Sequence, residues 1–256
     1  TLTRFYNGNT TRYTLAGEQA TLVEKAPDGL WLAQTQPDGS SSLAKLPSAV
    51  LNQPEGEMTG AIAVPLDVEI RHIQRLHTDR QQRLWLATGG TGLVQLDPTG
   101  KLIKHWTEAD GLPSNIVYGM VEDADGDFWV ATRAGIAWLH DNTLTAFDTT
   151  LGTPTHSPVH IFLDPSDRLW ITADDGIHLI NRAEFITAAK EPNKAVLGRV
   201  FSTRDGLRSM VVSWRRGGQA ISPDGTLAYA TTNGISRVKP TAVSSKIGGA
   251  QVVIDT

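Results

Sequence analysis

The chain has 256 residues, 40% of them hydrophobic and 20% charged, with a formal net charge of −4 and no cysteine. That length holds a substantial core, and one all-β domain of this size is ordinary. The acidic balance argues against a nucleic-acid partner, which would select a basic excess, and the missing thiols exclude disulfides, thiolate metal sites and cysteine nucleophiles. In chain order, "LTRFYNGNTTRYT" (2–14) reads as the outer two strands of a β-unit. "APDGLWLAQTQPDGSSSLAKL" (26–46) is the first, looser copy of a motif that returns four times. The clearer copies are "DRQQRLWLATGGTGLVQLDP" (79–98), "DADGDFWVATRAGIAWLHD" (123–141), "DPSDRLWITADDGIHLIN" (164–181) and "SPDGTLAYATTNGISRVKP" (222–240).

Aligned on the aromatic residue, the copies fall at Trp31, Trp85, Trp129, Trp170 and Tyr229, in steps of 54, 44, 41 and 59 residues. A period of that length built from short strands belongs to propeller blades. Within one copy, the β-favouring runs Phe128–Thr132 and Gly135–Leu139 are separated only by Arg133 and Ala134, which predicts a tight hairpin. "SNIVYGMVED" (114–123) predicts a strand before it, entering the turn at Asp125-Gly126, and "TLTAFD" (143–148) a fourth strand after it. Four antiparallel strands make a blade. The runs "LWLAT", "FWVAT" and "LWITA" are apolar on both faces, as expected of strands covered from both sides. A bulky aromatic two residues before a small one lets neighbouring sheets interdigitate.

The expected fold is therefore an all-β propeller of four-stranded antiparallel blades. About five repeats span 1–240, as the C-terminal part of a larger ring. "NRAEFITAAKEPNK" (181–194) breaks the pattern. It predicts a short helix on the outer edge of the fourth blade, with Asn181 as cap, Glu184 at capping-box spacing and Pro192 as its stop. The fifth unit shows no outermost strand, and 241–256 reads as a linker with the start of another β-domain. No apolar run is long enough to cross a bilayer or to act as a signal peptide. The chain opens on Thr1 and its first methionine is Met58, as expected of a processed protein or of a piece of a longer one.

"DGLPSNIVYGMVEDADGDFWVATRAGIAWL" (110–139) resembles the two-component regulator propeller repeat, in which a Gly-Leu-Pro-Ser-Asn loop precedes an inner strand, Asp-x-x-Gly and a Trp strand. "GIHLINRAEFITAAK", "VFSTRDGLRSM" and "DGTLAYATTNGISRVKP" look like the last two blades of such propellers in bacterial sensors. The resemblance implies a seven-bladed periplasmic sensor associated with polysaccharide or nutrient sensing. It also implies a following immunoglobulin-like domain, which "GAQVVIDT" would begin, then a membrane helix and a histidine kinase or diguanylate cyclase. The membrane is then a partner only through the parent protein. Two departures stand out: the last inner strand reads "RSMVVSWRRGGQA", and the first unit is degenerate.

"DADGD" lacks the bidentate Glu of a calcium loop, since its twelfth position is Ala134, and a hairpin turn accounts for it. His156 and His160 flank Pro158, and on a strand they lie too far apart for one zinc. Neither a nucleophile elbow nor a phosphate loop occurs. No metal, cofactor or catalytic residue is expected. Trp31, Trp85, Trp106, Trp129, Trp138 and Trp170 are expected in the core. Trp214 stands on an expected inner strand beside Arg215 and Arg216. Between 199 and 216 there are five arginines, Arg208 among them, against one acid, Asp205. Such a cluster attracts anions, and an indole can stack on a sugar. The expected ligand is a small molecule or an acidic oligosaccharide, held by Trp214, Arg215, Arg216 and Arg208 with Ser114 and Asn115 of the loop. A homodimer is compatible with this reading. The competing readings are a lyase or lactonase on the same scaffold, for which the inner strands offer His72 and His160 but few carboxylates, and a protein-interaction platform.

Overall fold

The computed structural model describes residues 2–6, 9–15, 22–51, 56–58, 61–147, 157–191, 194–207, 209 and 219–243; for 2–6, 9–15 and 56–58 the backbone alone is described. The chain divides into two compact units, 1–107 and 108–256.

In the first unit, β1 (Leu2–Tyr6) and β2 (Asn9–Leu15) form an antiparallel hairpin. β3 (Leu22–Ala26), β4 (Gly29–Thr35) and β5 (Ser41–Pro47) follow as a meander. α1 (Ser48–Leu51) and β6 (Gly56–Met58) then intervene before β7 (Ile62–Val64) pairs with β5. β6 runs parallel to β2. The stretch around Trp31, the degenerate copy in sequence, is thus a full four-stranded sheet with an insertion between its third and fourth strands. β8 (Ile73–Thr78), β9 (Leu84–Thr88), β10 (Leu93–Leu96) and β11 (Leu102–Trp106) form the next sheet.

In the second unit, β12 (Val117–Glu122), β13 (Phe128–Thr132), β14 (Gly135–His140) and β15 (Thr143–Phe147) form one antiparallel sheet. The two-residue turn at Arg133-Ala134 lies where the spacing predicts it. β16 (His160–Leu163), β17 (Arg168–Ala173), β18 (Gly176–Asn181) and β19 (Gly198–Phe201) form another, with α2 (Arg182–Lys190) inserted before the outermost strand. β20 (Gln219–Ile221), β21 (Leu227–Thr231) and β22 (Gly234–Val238) make a three-stranded sheet among the described residues. The protein is all-β, built from propeller blades. The first strands of adjoining sheets lie side by side, β3 with β8 and β12 with β16, which makes them the innermost strands.

The second strands β9, β13 and β17 are buried on both faces, and Trp31, Trp129 and Trp170 pack toward the following sheet. Trp31 shares a core with Ile73, Leu84 and Leu86, and Trp129 one with Ile161, Leu169 and Ile171. Trp170 does the same with Leu227 and Val238. Stacked rings extend these contacts: Trp85 on Trp106 at 5.2 Å, Trp129 on Trp138 at 5.6 Å and Trp170 on Phe201 at 5.7 Å between centroids.

Tyr229 is on the second strand of its sheet, as expected, but one residue out of register with the tryptophans. Thr88, Thr132 and Thr231 each donate their hydroxyl to the glycine carbonyl that opens the third strand or its turn, at 2.8, 2.9 and 2.8 Å. Three residues before them stand Trp85, Trp129 and Ala228. A one-residue step reverses the face of a strand. Tyr229 therefore packs back onto the preceding sheet, edge-on to Phe162 at 6.0 Å and in one core with Trp170.

The helix forms as expected, yet Asn181 makes no side-chain cap and the capping box with Glu184 is absent. The first helical N–H, that of Arg182, instead donates to the Asp167 carbonyl at 3.1 Å, so that terminus is satisfied by the neighbouring turn. Phe185, on the buried side of α2, packs on Trp129 at 5.3 Å and Phe147 at 4.9 Å and so straps two sheets together.

Candidate ligand-binding site

The innermost strands are held in place by a carboxylate clamp. Asp79, Asp123 and Asp164 each end the link from a first strand, six residues before the tryptophan of the second. One carboxylate oxygen accepts the backbone N–H groups two and four residues on, at 2.8–3.1 Å. The other accepts the indole N–H of Trp85, Trp129 or Trp170, at 2.8, 2.9 and 2.8 Å. All three aspartates are buried. Each needs a cation to balance it. Arg83 and Arg168, four residues on, supply it within their own turns at 2.7 and 2.8 Å. At Asp123 that position is Asp127, which accepts from Trp138 and His140, and the cation comes from Arg182 at 2.7 Å. Arg182 also reaches Asp125 at 2.6 Å and Asp167 at 2.8 Å. Burial opposes its charge, but the three carboxylates more than offset this and hold its pKa above the ordinary arginine value. Sequence reading explained "DADGD" as a turn and missed the clamp; the signal was the repeated Asp six residues before each Trp.

At the opposite end of the innermost strands, the loops that lead into them are tied by their own bonds. In the loop carrying Gly-Leu-Pro-Ser-Asn, Glu108 N–H donates to Asn115 Oδ1 and Asn115 N–H to the Glu108 carboxylate, both at 2.8 Å. Gly111 takes φ 103°, which lets Leu112 turn inward and be buried. Ser114 Oγ accepts the Ile116 N–H at 3.2 Å. The Ile116 carbonyl accepts from Arg133 N–H, so this loop is pinned to the Arg133-Ala134 turn. A second copy occurs at 202–209: Ser202 and Asp205 form a capping box, Gly206 takes φ 97° and Leu207 is buried. Ser209 Oγ then meets Thr232 Oγ1 at 2.9 Å. Both copies of Asp-Gly-Leu-x-Ser thus share a left-handed glycine and a buried leucine.

Ser114 and Asn115 therefore lie together, with Ser114 Oγ and Asn115 Oδ1 engaged inside the loop. Arg208, Trp214, Arg215 and Arg216, with His156, lie outside the described residues. Most of the "RSMVVSWRRGGQA" segment does too, and β20 begins only at Gln219. His160 opens β16 and is buried. His72 is exposed just before β8, at φ 48°, its N–H on the Gly39 carbonyl at 2.9 Å and its carbonyl on the Gly89 N–H at 2.8 Å. A side chain on Gly39 or Gly89 would collide with it, at 2.5 and 2.9 Å.

The innermost strands of the first unit also carry charge. Glu24 on β3 accepts the Thr78 N–H at 3.2 Å. Burial raises its pKa, against the Thr78 bond and the charges of His77 and Arg75. Arg75 on β8 is half-buried, and burial lowers its pKa, partly countered by Glu24. In the second unit β12 and β16 approach so closely that a side chain on Gly119 would stand 3.3 Å from the Val159 carbonyl oxygen. Among the described residues no group of three His, Asp or Glu is placed to hold a metal ion, and no helix is long and apolar enough to cross a membrane.

Residues 111–134, from the tied loop to the second strand, match the family model "two component regulator propeller". A comparison with curated protein sequences gave no match. Several solved structures share the fold. The extracellular domain of the hybrid two-component system BT3049 from B. thetaiotaomicron aligns with a TM-score of 0.60 at 14% identity, over 89% of this chain and 35% of that one. The extracellular domain of the one-component system BT4673 from the same organism aligns with a TM-score of 0.63 at 16% identity, over 91% and 29%. Virginiamycin B lyase from Staphylococcus aureus aligns with a TM-score of 0.58 at 16% identity, over 86% and 66%. The chain spans about a third of the length of the two sensor domains.

Proposed function

Starting from a chain that carries the two-component regulator propeller repeat, we propose that it is a non-catalytic, ligand-sensing part of the periplasmic region of a bacterial signal-transduction receptor. The observation that carries this reading is the match over 111–134, which falls on the tied loop that feeds an innermost strand. The shared fold of extracellular domains from two-component and one-component systems supports it. The ligand is a small molecule or oligosaccharide bearing acidic groups. Arg208, Arg215 and Arg216 would pair with its anions and Trp214 would stack on it, beside Ser114 and Asn115. These assignments rest on residue chemistry: arginine pairs with carboxylate or sulfate through parallel hydrogen bonds.

Calorimetric titration with acidic and neutral oligosaccharides, at two salt concentrations, tests the reading. Binding of the acidic series that weakens with salt and with Arg215→Ala supports it; binding indifferent to both refutes it. The likeness to virginiamycin B lyase motivates a second reading, an enzyme on this scaffold. Turnover of a streptogramin or a sugar lactone, abolished by His160→Ala, would establish that reading and displace the first.

A further inference from the structure

Four residues before each clamp aspartate, the innermost strands share one position, occupied by Arg75, Gly119 and His160 in three successive sheets. Each faces a small residue across the ladder: Ala87, Ala131 and Thr172. At Gly119 packing favours the choice, because a side chain would stand 3.3 Å from the Val159 carbonyl oxygen just ahead of β16. At Arg75 packing explains nothing. A long cation stands where the next sheet in the chain has a bare backbone.

Arg75 directly follows a β-bulge: the register shifts between Ile73 and Arg75 and leaves Gln74 without a ladder partner. The same shift precedes Gly119 on β12, so the bulge belongs to the repeat; it bends the strand and re-aims the side chain beside it, here Arg75. The guanidinium is half-buried yet makes no hydrogen bond or ion pair with any described residue. Glu24 lies near enough to influence it, but its carboxylate is turned to the Thr78 N–H and forms no ion pair with it. A desolvated guanidinium with five donors and no acceptor is rare, since buried charges are normally paired. The first unit also supplies a cation for its clamp in Arg83, so Arg75 is not needed there.

We propose that Arg75 is the anchor of an oxyanion-binding site on the innermost strand β8, taking the carboxylate, sulfate or phosphate group of a small ligand. The planar fork receives two oxygens of such a group at once. The proposal uses none of the arginines at 208–216, and it holds whether or not the chain is a sensor.

The test is calorimetric titration of the full chain, in low-salt buffer, with sodium sulfate, sodium phosphate and sodium acetate separately. At least one of the three binds with single-site stoichiometry, and the strongest arm identifies the group. Arg75→Gln weakens that binding at least about tenfold, as expected for a charge-assisted pair. Glu24→Gln tightens it by removing the nearby negative charge. Arg71→Gln, at an exposed arginine already paired with Glu69, leaves it unchanged, as does Arg215→Ala. Should Arg75→Gln not fold, phenylglyoxal labelling of the wild-type chain replaces it: the bound anion protects Arg75 and leaves Arg71 reactive. No binding of any of the three anions, equal binding by Arg75→Gln, or equal labelling of Arg75 with and without anion overturns the proposal.

Discussion

Asp123→Ala removes four accepted hydrogen bonds at one buried carboxylate: the N–H groups of Asp125 and Asp127, the indole of Trp129 and the guanidinium of Arg182. Arg182 keeps Asp125 and Asp167, so its loss is partial. The indole N–H is left buried without an acceptor, which costs about 1–3 kcal/mol, and each turn N–H forfeits a net contribution of about 1 kcal/mol unless water replaces the oxygen. The sum is about 3–5 kcal/mol, at the upper end for point substitutions. For a protein of this size that lowers Tm by roughly 6–20 °C. Asp123→Asn retains one oxygen for the turn but sets an NH2 against the indole and the guanidinium, and recovers less than half of the loss. Urea unfolding followed by tryptophan fluorescence reads the midpoint, with Asp125→Ala, a removal of an exposed carboxylate, as the control. Equal destabilisation by Asp123→Ala and Asp125→Ala, or a midpoint for Asp123→Ala within error of wild type, would refute the clamp as the source of stability.

Tyr229→Phe should stabilise the protein by about 1 kcal/mol, because the phenol oxygen is buried without a described partner and its removal avoids that desolvation; a lowered Tm would show that a partner exists. Trp129→Ala should cost about 3–5 kcal/mol by equilibrium unfolding, since the ring fills the space between two sheets. Gly119→Val should cost about 1–3 kcal/mol, because a branched side chain must push β12 and β16 apart, and a variant of unchanged midpoint would contradict the close approach. The His140 imidazole is held above its ordinary pKa by its hydrogen bond to Asp127, with Asp127, Asp141 and Asp123 adding charge. Its contribution is present below the unfolded value of about 6.5 and is lost as pH rises through the folded value, and half-exposure limits it to tenths of a kcal/mol. An NMR titration should show the raised pKa fall toward the unfolded value in Asp127→Asn.

Strand positions were legible in the sequence wherever apolar runs and Asp-Gly turns recur, because covering a sheet on both faces demands a continuous apolar strand. Matching the aromatic residues by type, however, set Tyr229 beside the tryptophans, whereas the Thr-to-glycine hydrogen bond shows it one step away. A ring can fill a core from either face, so residue type alone cannot decide register, while a threonine that closes a hairpin can. The helix at 182–190 was legible from its composition, but not its N-terminal partner, since the Asp167 carbonyl lies on another turn. Arg75 went unremarked for the same reason. Its interest lies in what does not pair with it, and only three-dimensional neighbours reveal that.

The position four residues after each clamp aspartate shows how near-identical sheets are kept in order. Arg83 stays within its own turn, and Asp127 serves Trp138 and His140 while its turn borrows Arg182 from α2. Arg168 reaches on to the carbonyls of Val243 and Pro240, at 2.9 and 2.8 Å, and so holds the chain where it leaves β22. Apolar faces of similar shape would tolerate exchange between neighbours. A buried carboxylate left without its cation costs several kcal/mol and would not. The clamp is thus the repeated part, while its cation is local at Asp79 and Asp164 and borrowed at Asp123, which alone of the three draws it from α2 of the following sheet. Moved to another place, that sheet would leave its aspartate unpaired, so the borrowed cation ties order along the chain to order in space.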